Sequence, residues 1–454
     1  MADSFIRASH NVSFTTALRT WLSIGFQSFG GPAGQIAVMH RILVDEKRWV
    51  SEQRFLLALN YCTMLPGPEA QQLATYIGWL LHGTRGGLAA GLLFILPGFI
   101  AMMLLAATYV TFGQLPLITG VFLGLKAAVL ALVVAAVIRV GSRALRTMVA
   151  RAAAVLAFAG IFVFALPFPL IVLGAGVFGY AWTRAGRKDF SASGEHAAAA
   201  NAHLPVIDDA HLTRVQPTVM RSVRILAIWL TLWFLPIAVT ALLLGADHVA
   251  VVSALFFAKM AVVTFGGAYA VLAYVAQEAV ATYGWVTPAQ MLDGLGLAET
   301  TPGPLILVVQ FVGFLAGHHV PGTLAPLASA LLCACLAVWA TFVPCFLWIF
   351  LGAPAVEKLH RQPALAGALA AITAAVVGVI MNLALWFSLH VLFAQVHAHV
   401  VPGTALTLPI LSSLQFPALI LAVIALLLTF WLRWPALRML GTLAVLGAAW
   451  IMMS

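Results

Sequence analysis

Four short clusters of glycine and proline punctuate an otherwise apolar chain: Phe29-Gly30-Gly31-Pro32, Leu65-Pro66-Gly67-Pro68-Glu69, Phe265-Gly266-Gly267 and Thr300-Thr301-Pro302-Gly303-Pro304. Proline lacks an amide donor and clashes with the preceding turn, while glycine admits backbone conformations that helices do not use. Helices should therefore stop before each cluster and restart after it. A restarted helix presents free amides and the positive end of its dipole, a combination that favours an anion. Four such points facing one midplane would cradle a small oxyanion without many basic side chains. The residues expected to line that cradle are Gly30, Gly31, Pro66, Gly67, Pro68, Gly266, Gly267, Thr300, Thr301, Pro302, Gly303 and Pro304. One such break alone reads as a kink or a packing point; four in matching places read as a site.

Few side chains near the breaks carry charge. Lys126 follows 40 consecutive uncharged residues, lies ten after Pro116 and 13 before Arg139, and so belongs near mid-membrane. A buried ammonium is costly and calls for a cavity or a partner. Lys259, five residues before Thr264, is the single basic residue of its region, and both lysines are expected to add positive field to the bound anion. Glu69 directly follows Pro68 and either caps a helix N-terminus or carries a coupling proton; Glu299 is placed to play the parallel part, with Asp293 a weaker choice. Gln35, Asn60, Gln71, Gln72, Thr300 and Thr301 supply further hydrogen-bond donors.

The elements that must hold these residues are membrane helices. Of 454 residues, 63% are hydrophobic and 8% charged, against about 25% charged in an ordinary soluble domain. Apolar stretches long enough to span a bilayer occur at 87–111, 116–138, 222–244, 323–350, 363–390, 407–430 and 435–452, since a span takes roughly 20 residues. Their continuous apolar character excludes the alternating segments of a β-barrel. The polar start Met1–His10 is not a cleavable signal. The net charge of +9 resides at the ends of apolar segments, which points to membrane topology and not to nucleic acid. Cys62, Cys333, Cys335 and Cys345 sit in apolar context without neighbouring metal ligands, and His196, His203 and His211 fall in a polar linker without a zinc spacing. No phosphate-binding loop, nucleophile triad or metal cluster is present, so no cofactor, metal or catalytic residue is expected.

The chain repeats itself. Ser28-Phe29-Gly30-Gly31 matches Thr264-Phe265-Gly266-Gly267, Trp49 matches Trp285, and Pro66-Gly67-Pro68 matches Pro302-Gly303-Pro304, each pair 236 residues apart. A looser echo pairs Pro97 with Pro344 and Gly124–Ala128 with Gly367–Ala371. Basic residues crowd the flanks of the first motif region (Arg7, Arg19, Arg41, Lys47, Arg48, Arg54, Arg85), whereas 246–322 holds Lys259 alone. The positive-inside rule then puts the first flanks in the cytoplasm and the second outside. A hairpin at 152–166 and 168–183 and one unmatched crossing at 222–244 complete an inverted-topology repeat, an architecture in which broken helices form the site. A parallel repeat is the alternative. The expected fold is thus an all-α polytopic membrane protein with a first repeat at 1–183, a cytoplasmic linker at 184–221, a linking helix at 222–244 and an inverted second repeat at 246–454. Trp49 and Trp285 are expected as interfacial anchors.

Phe29-Gly30-Gly31-Pro32, Trp49, Leu65–Ala70, Gln72-Leu73-Ala74 and Tyr76-Ile77-Gly78-Trp79 closely resemble the bacterial chromate ion transporter family. Thr264–Tyr269, Gly284-Trp285-Val286 and Thr301–Pro304 resemble its duplicated domain. One departure is Gln35, where the family's first-half pattern usually has His. The resemblance implies the two-domain form and secondary efflux of chromate, giving resistance, with sulfate as the similar tetrahedral dianion. It implies an inner-membrane protein with a cytoplasmic N-terminus. Its partners would be the anion, the bilayer, a coupling proton or counter-ion, and a second copy in a homodimer. An oxyanion channel and a membrane-embedded enzyme are the other readings.

Overall fold

The computed structural model describes residues 12–187, 189–190, 218–265, 267–353, 362–398 and 407–453. These form a multi-pass helical bundle. In chain order the helices are α1 (Phe14–Gln27), α2 (Gly31–His40), α3 (Glu52–Met64), α4 (Glu69–Phe112), α5 (Pro116–Ala144), α6 (Met148–Phe162), α7 (Phe168–Arg184) and α8 (Val219–Leu244). They continue as α9 (Val249–Val263), α10 (Ala268–Gln277), α11 (Pro288–Thr300), α12 (Val308–His319), α13 (Pro326–Gly352), α14 (Pro363–Leu392), α15 (Phe416–Leu426) and α16 (Ala436–Met453). Six of them, α4, α5, α8, α13, α14 and α16, are long and apolar enough to cross a membrane.

Local chemistry sets the boundaries. Ser13, Ser51 and Thr147 each accept a backbone N–H from the first turn of the helix they precede, supplying a side-chain partner to an otherwise orphaned amide. Prolines begin α2, α5, α7, α13 and α15, where the missing donor costs nothing. The 44-residue α4 is two helices joined at His82 and Gly83; Gly83 has φ +62° and ψ −151°, a conformation reserved for glycine.

Two compact units emerge, each drawn from both halves of the sequence. One contains the described residues of Met1–Met103, Ser193–Gly267 and Thr301–Gln362; the other those of Leu104–Ala192, Ala268–Thr300 and Pro363–Ser454. In the first, α8 is clamped to α13 by two tryptophans that exchange bonds: Trp233 Nε1 donates to Ala340 O (2.9 Å) and Trp339 Nε1 to Leu232 O (3.0 Å). In the second, α5 packs on α15 and α16 of the other half, and α14 packs reciprocally on α6 and α7. Small residues permit both crossings. A Cβ on Gly120 would lie 2.6 Å from Ala448 Cα, and one on Gly367 would overlap the Thr183 hydroxyl. Close backbone approach is how membrane helices gain packing energy, because lipid is as apolar as leucine.

The repeat recurs in details that the sequence does not spell out. A π-helical turn follows α2 at Arg41–Glu46 and another follows α10 at Glu278–Thr282. Trp49 N and Val50 N both bond Leu43 O, as Trp285 N and Val286 N both bond Ala279 O. Arg48 and Gly284, again 236 apart, share a left-handed backbone with φ +54° and +62°.

Two expectations need correction. The stretch 407–430 is not one span. It begins with a strand, Thr407–Pro409, paired antiparallel to Val396–Ala398, and α15 starts only at Phe416. Pro409 and Pro417 interrupt helical bonding, and Pro417 instead opens the new helix. Trp49 and Trp285 are buried inside the protein and are not interfacial anchors: the two double-bonded turns fold their indoles inward. The linker histidines, Lys358 and Arg361 lie outside the described residues.

Candidate functional site

All four breaks are resolved as chain reversals or restarts, apart from Gly266, which lies outside the described residues. Helix α1 ends at Gln27, Gly30 is left-handed (φ +77°), and α2 restarts at Gly31 with Pro32 in its first turn. Helix α3 ends at Met64, Gly67 has φ +114°, and α4 restarts at Glu69. The second half repeats this: α9 ends at Val263, Gly267 has φ +98° and α10 follows; α11 ends at Thr300, Gly303 has φ +93°, and a 3-10 turn at Leu305–Leu307 leads into α12. Space beside Gly30 and Gly267 is open, with nothing within 4 Å of a Cβ built on either. First-turn amides of a helix have no intrahelical carbonyl to bond.

Two backbone hydrogen bonds tie the breaks together in crossed pairs. Gly303 N donates to Ser28 O at 2.7 Å, and Gly67 N donates to Thr264 O at 3.0 Å. Adding 236 to Ser28 and Gly67 yields Thr264 and Gly303, so each bond is the other with the halves exchanged. Both accepting carbonyls sit on similar turns: Ser28 Oγ donates to Ile24 O and Thr264 Oγ1 to Met260 O, each four residues back. The neighbours are reciprocal as well. A Cβ on Gly67 would meet Cys345 Sγ, and one on Gly303 would meet Gly98, with Gly98 and Cys345 each directly following one of the paired prolines 97 and 344.

Side chains reinforce the crossing unequally. Gln35 is buried and its Nε2 donates to Gly303 O at 2.7 Å. Gln72, also buried, donates to Pro66 O at 2.7 Å. The positions one repeat away hold Val271 and Val308, which cannot do the same. Gln71 Nε2 bonds Thr75 Oγ1, Thr300 Oγ1 bonds back to Leu297 O, Thr301 is buried, and Asn60 is exposed. Glu69 is half-buried in the first turn of α4.

The two lysines have different fates. Lys126 Nζ lies 3.1 Å from Asp293 Oδ1, and Tyr109 Oη donates to Asp293 Oδ2 at 2.9 Å. Asp293 is 5% exposed. Lys259 is exposed on α9 and forms no ion pair among the described residues. Further along α11, Glu299 is 4% exposed and accepts a 2.7 Å hydrogen bond from Tyr269 Oη. Sequence reasoning passed over Tyr109, 184 residues from its partner. Tyr269 carried a signal, since it closes the second-half motif. Among the described residues no group of His, Cys, Asp and Glu is arranged to hold a metal.

A duplicated, multi-pass helical bundle with reciprocal breaks at its core is the build of a membrane transporter. The chain belongs to the chromate transporter family, whose sequence model matches it twice, at residues 15–180 and 251–451. The two matches begin 236 residues apart, the offset of the motifs. Among curated relatives it is 32% identical over 372 residues to a chromate transport protein of Pseudomonas aeruginosa, covering 81% of this chain and 80% of the relative. It is 28% identical to a chromate transport protein of Cupriavidus metallidurans, over 79% of each chain. It is 27% identical to a probable chromate transport protein of Synechococcus elongatus, over 84% and 86%. No solved structure matches it. The protein is accordingly a transporter of the two-domain form and not an enzyme.

Proposed function

We propose that the protein is a secondary active transporter of a tetrahedral oxyanion, exporting chromate and accepting sulfate, through a site made of the helix N-termini that adjoin the four breaks. The single observation that carries this reading is the crossed pair of bonds, Gly303 N to Ser28 O and Gly67 N to Thr264 O. They tie each break of one half to a break of the other, and the space a Cβ would take at Gly30 and Gly267 is open. Amide donors suit a dianion because their partial charges are fixed and need no counter-ion of their own. Lysines are secondary in this scheme: Asp293 already neutralises Lys126, and Lys259 is exposed.

The halves are inverted about α8, with the N-terminus in the cytoplasm of the inner membrane and α8 as the odd crossing. Support comes from the basic residues beside the first motif region, their scarcity beside the second, and the positive-inside rule. Each half then contributes equally to a midplane site, as alternating access requires. Glu69 and Glu299 are the coupling candidates, each adjoining a break.

The test is flux of labelled chromate and sulfate into proteoliposomes preloaded with unlabelled anion. A carrier shows accelerated exchange when the same anion is present on the far side. Flux without that acceleration would identify a channel, and absence of flux for both anions would remove the proposal.

A further inference from the structure

Helix α11 carries two carboxylates six residues apart, about 9 Å along its axis, in opposite electrostatic settings. Asp293 faces a cation, Lys126, at 3.1 Å and a phenol, Tyr109. Glu299, equally buried, faces only the neutral Tyr269 hydroxyl at 2.7 Å. The remaining charged groups offset its charge only in part. Arg139 of α5 acts on Glu299 through space but makes no ion pair with it. Of the other helices packed on α11, α14 and α16 bring His390 and Arg438, and neither bonds Glu299. An ionised carboxylate without a directly paired counter-charge in an apolar interior is costly, and taking up a proton removes that cost.

Position on the helix separates Glu299 from Glu69. Glu69 lies in the first turn of α4, where the positive end of the dipole offsets part of the cost that burial puts on its charge. Glu299 lies in the last turn of α11, where unpaired carbonyls and the negative dipole end oppose a second negative charge. Beyond it the chain passes within two residues into Thr301-Pro302-Gly303. A dianion at that break and an ionised Glu299 would repel each other.

We propose that Glu299 carries the coupling proton and that Tyr269 is its positioning residue, so that a proton enters this carboxyl when the anion binds and leaves with it. This rests on the reading of the breaks as an oxyanion site. The proton comes from water and forms an O–H bond on Glu299; Tyr269 Oη keeps its own proton and donates to the other oxygen or to the neutral acid's carbonyl. Only the second repeat has the device. The positions one repeat earlier are Ala33 and Thr63, and Thr63 bonds its own helix at Asn60 O. The two pseudo-symmetric hairpins thus share one proton site.

The experiment measures sulfate and chromate binding to the purified protein in weak buffer across pH, with a pH dye reading proton uptake. The wild type is expected to take up a proton with each anion, and its Kd to rise by up to about tenfold per pH unit in alkaline solution. Glu299→Gln is expected to lose both the uptake and the slope, Glu299→Asp to keep them, and Glu69→Gln to keep them. Tyr269→Phe removes a donor that favours the ionised form, so its uptake should persist to higher pH. Uptake unchanged in Glu299→Gln, or lost in Glu69→Gln instead, overturns the assignment. Anion binding without uptake in the wild type also overturns it while leaving the oxyanion site intact; no binding of either anion removes the site itself.

Discussion

Ser28 and Thr264 each hold two bonds that pull in different directions. Their hydroxyls bond back to the carbonyl four residues earlier, closing the helix, while their own carbonyls are taken by glycines of the opposite half. The acceptors work only because Gly67 and Gly303 adopt positive φ, which costs a residue with a Cβ roughly 1–2 kcal/mol. At Gly67 a methyl group would also press on Cys345 Sγ at 2.9 Å and Gln72 Nε2 at 3.0 Å, whereas at Gly303 the nearest atom is 3.3 Å away. Gly67→Ala should therefore lower the unfolding temperature in detergent more than Gly303→Ala, and Cys345→Ala should recover part of the difference. Equal losses at both sites, or no recovery, would show that the crowding at Gly67 is not the deciding term.

Helices α4, α5 and α11 meet at the Lys126–Asp293–Tyr109 cluster, and Gly296 seats α11 against Leu125, with its Cβ position 3.0 Å from that side chain. Removing one member of a buried ion pair strands the other, at a cost of about 3–5 kcal/mol, whereas replacing both by apolar groups is often neutral. Lys126→Ala is expected to unfold at much lower temperature than the wild type, and Lys126→Met with Asp293→Leu to return most of the loss. A double variant as unstable as the single would mean that the pair is needed as a pair. This cluster also marks the limit of what sequence alone conveyed. The duplication, the four breaks and all six long spans were legible because each is a local pattern of Gly, Pro or continuous apolar residues. The partner of Lys126 was not, because packing brings Asp293 to Lys126 over 167 residues of separation and to Tyr109 over 184. Nor was the interleaving of both halves in each compact unit, which arises from reciprocal helix crossings that hydropathy does not encode. The lost span at 407–430 failed for the opposite reason: its composition is apolar, but Pro409 and Pro417 decide its backbone.

At the scale of the molecule, inversion and proton coupling make separate demands on the membrane. Inversion requires that the turns after α2 and α10 face opposite compartments. Lys47 and Thr282 are both exposed on those turns, so Lys47→Cys should react with an impermeant maleimide only from the cytoplasmic side and Thr282→Cys only from outside. Reaction of both from one side would leave a parallel repeat. Coupling alters the charge that crosses. A dianion alone carries two charges, each worth about 2.3 kcal/mol per 100 mV, and an interior-negative potential by itself drives it outward. With one proton bound at Glu299 the moving species carries one net charge. At equal pH on both sides, the potential that halts flux should then shift by about 59 mV per tenfold anion gradient, against about 30 mV for an uncoupled dianion. Glu299→Gln is expected to bring the slope from the first value to the second in voltage-clamped proteoliposomes. A wild-type slope already at the lower value would mean that the anion crosses without its proton.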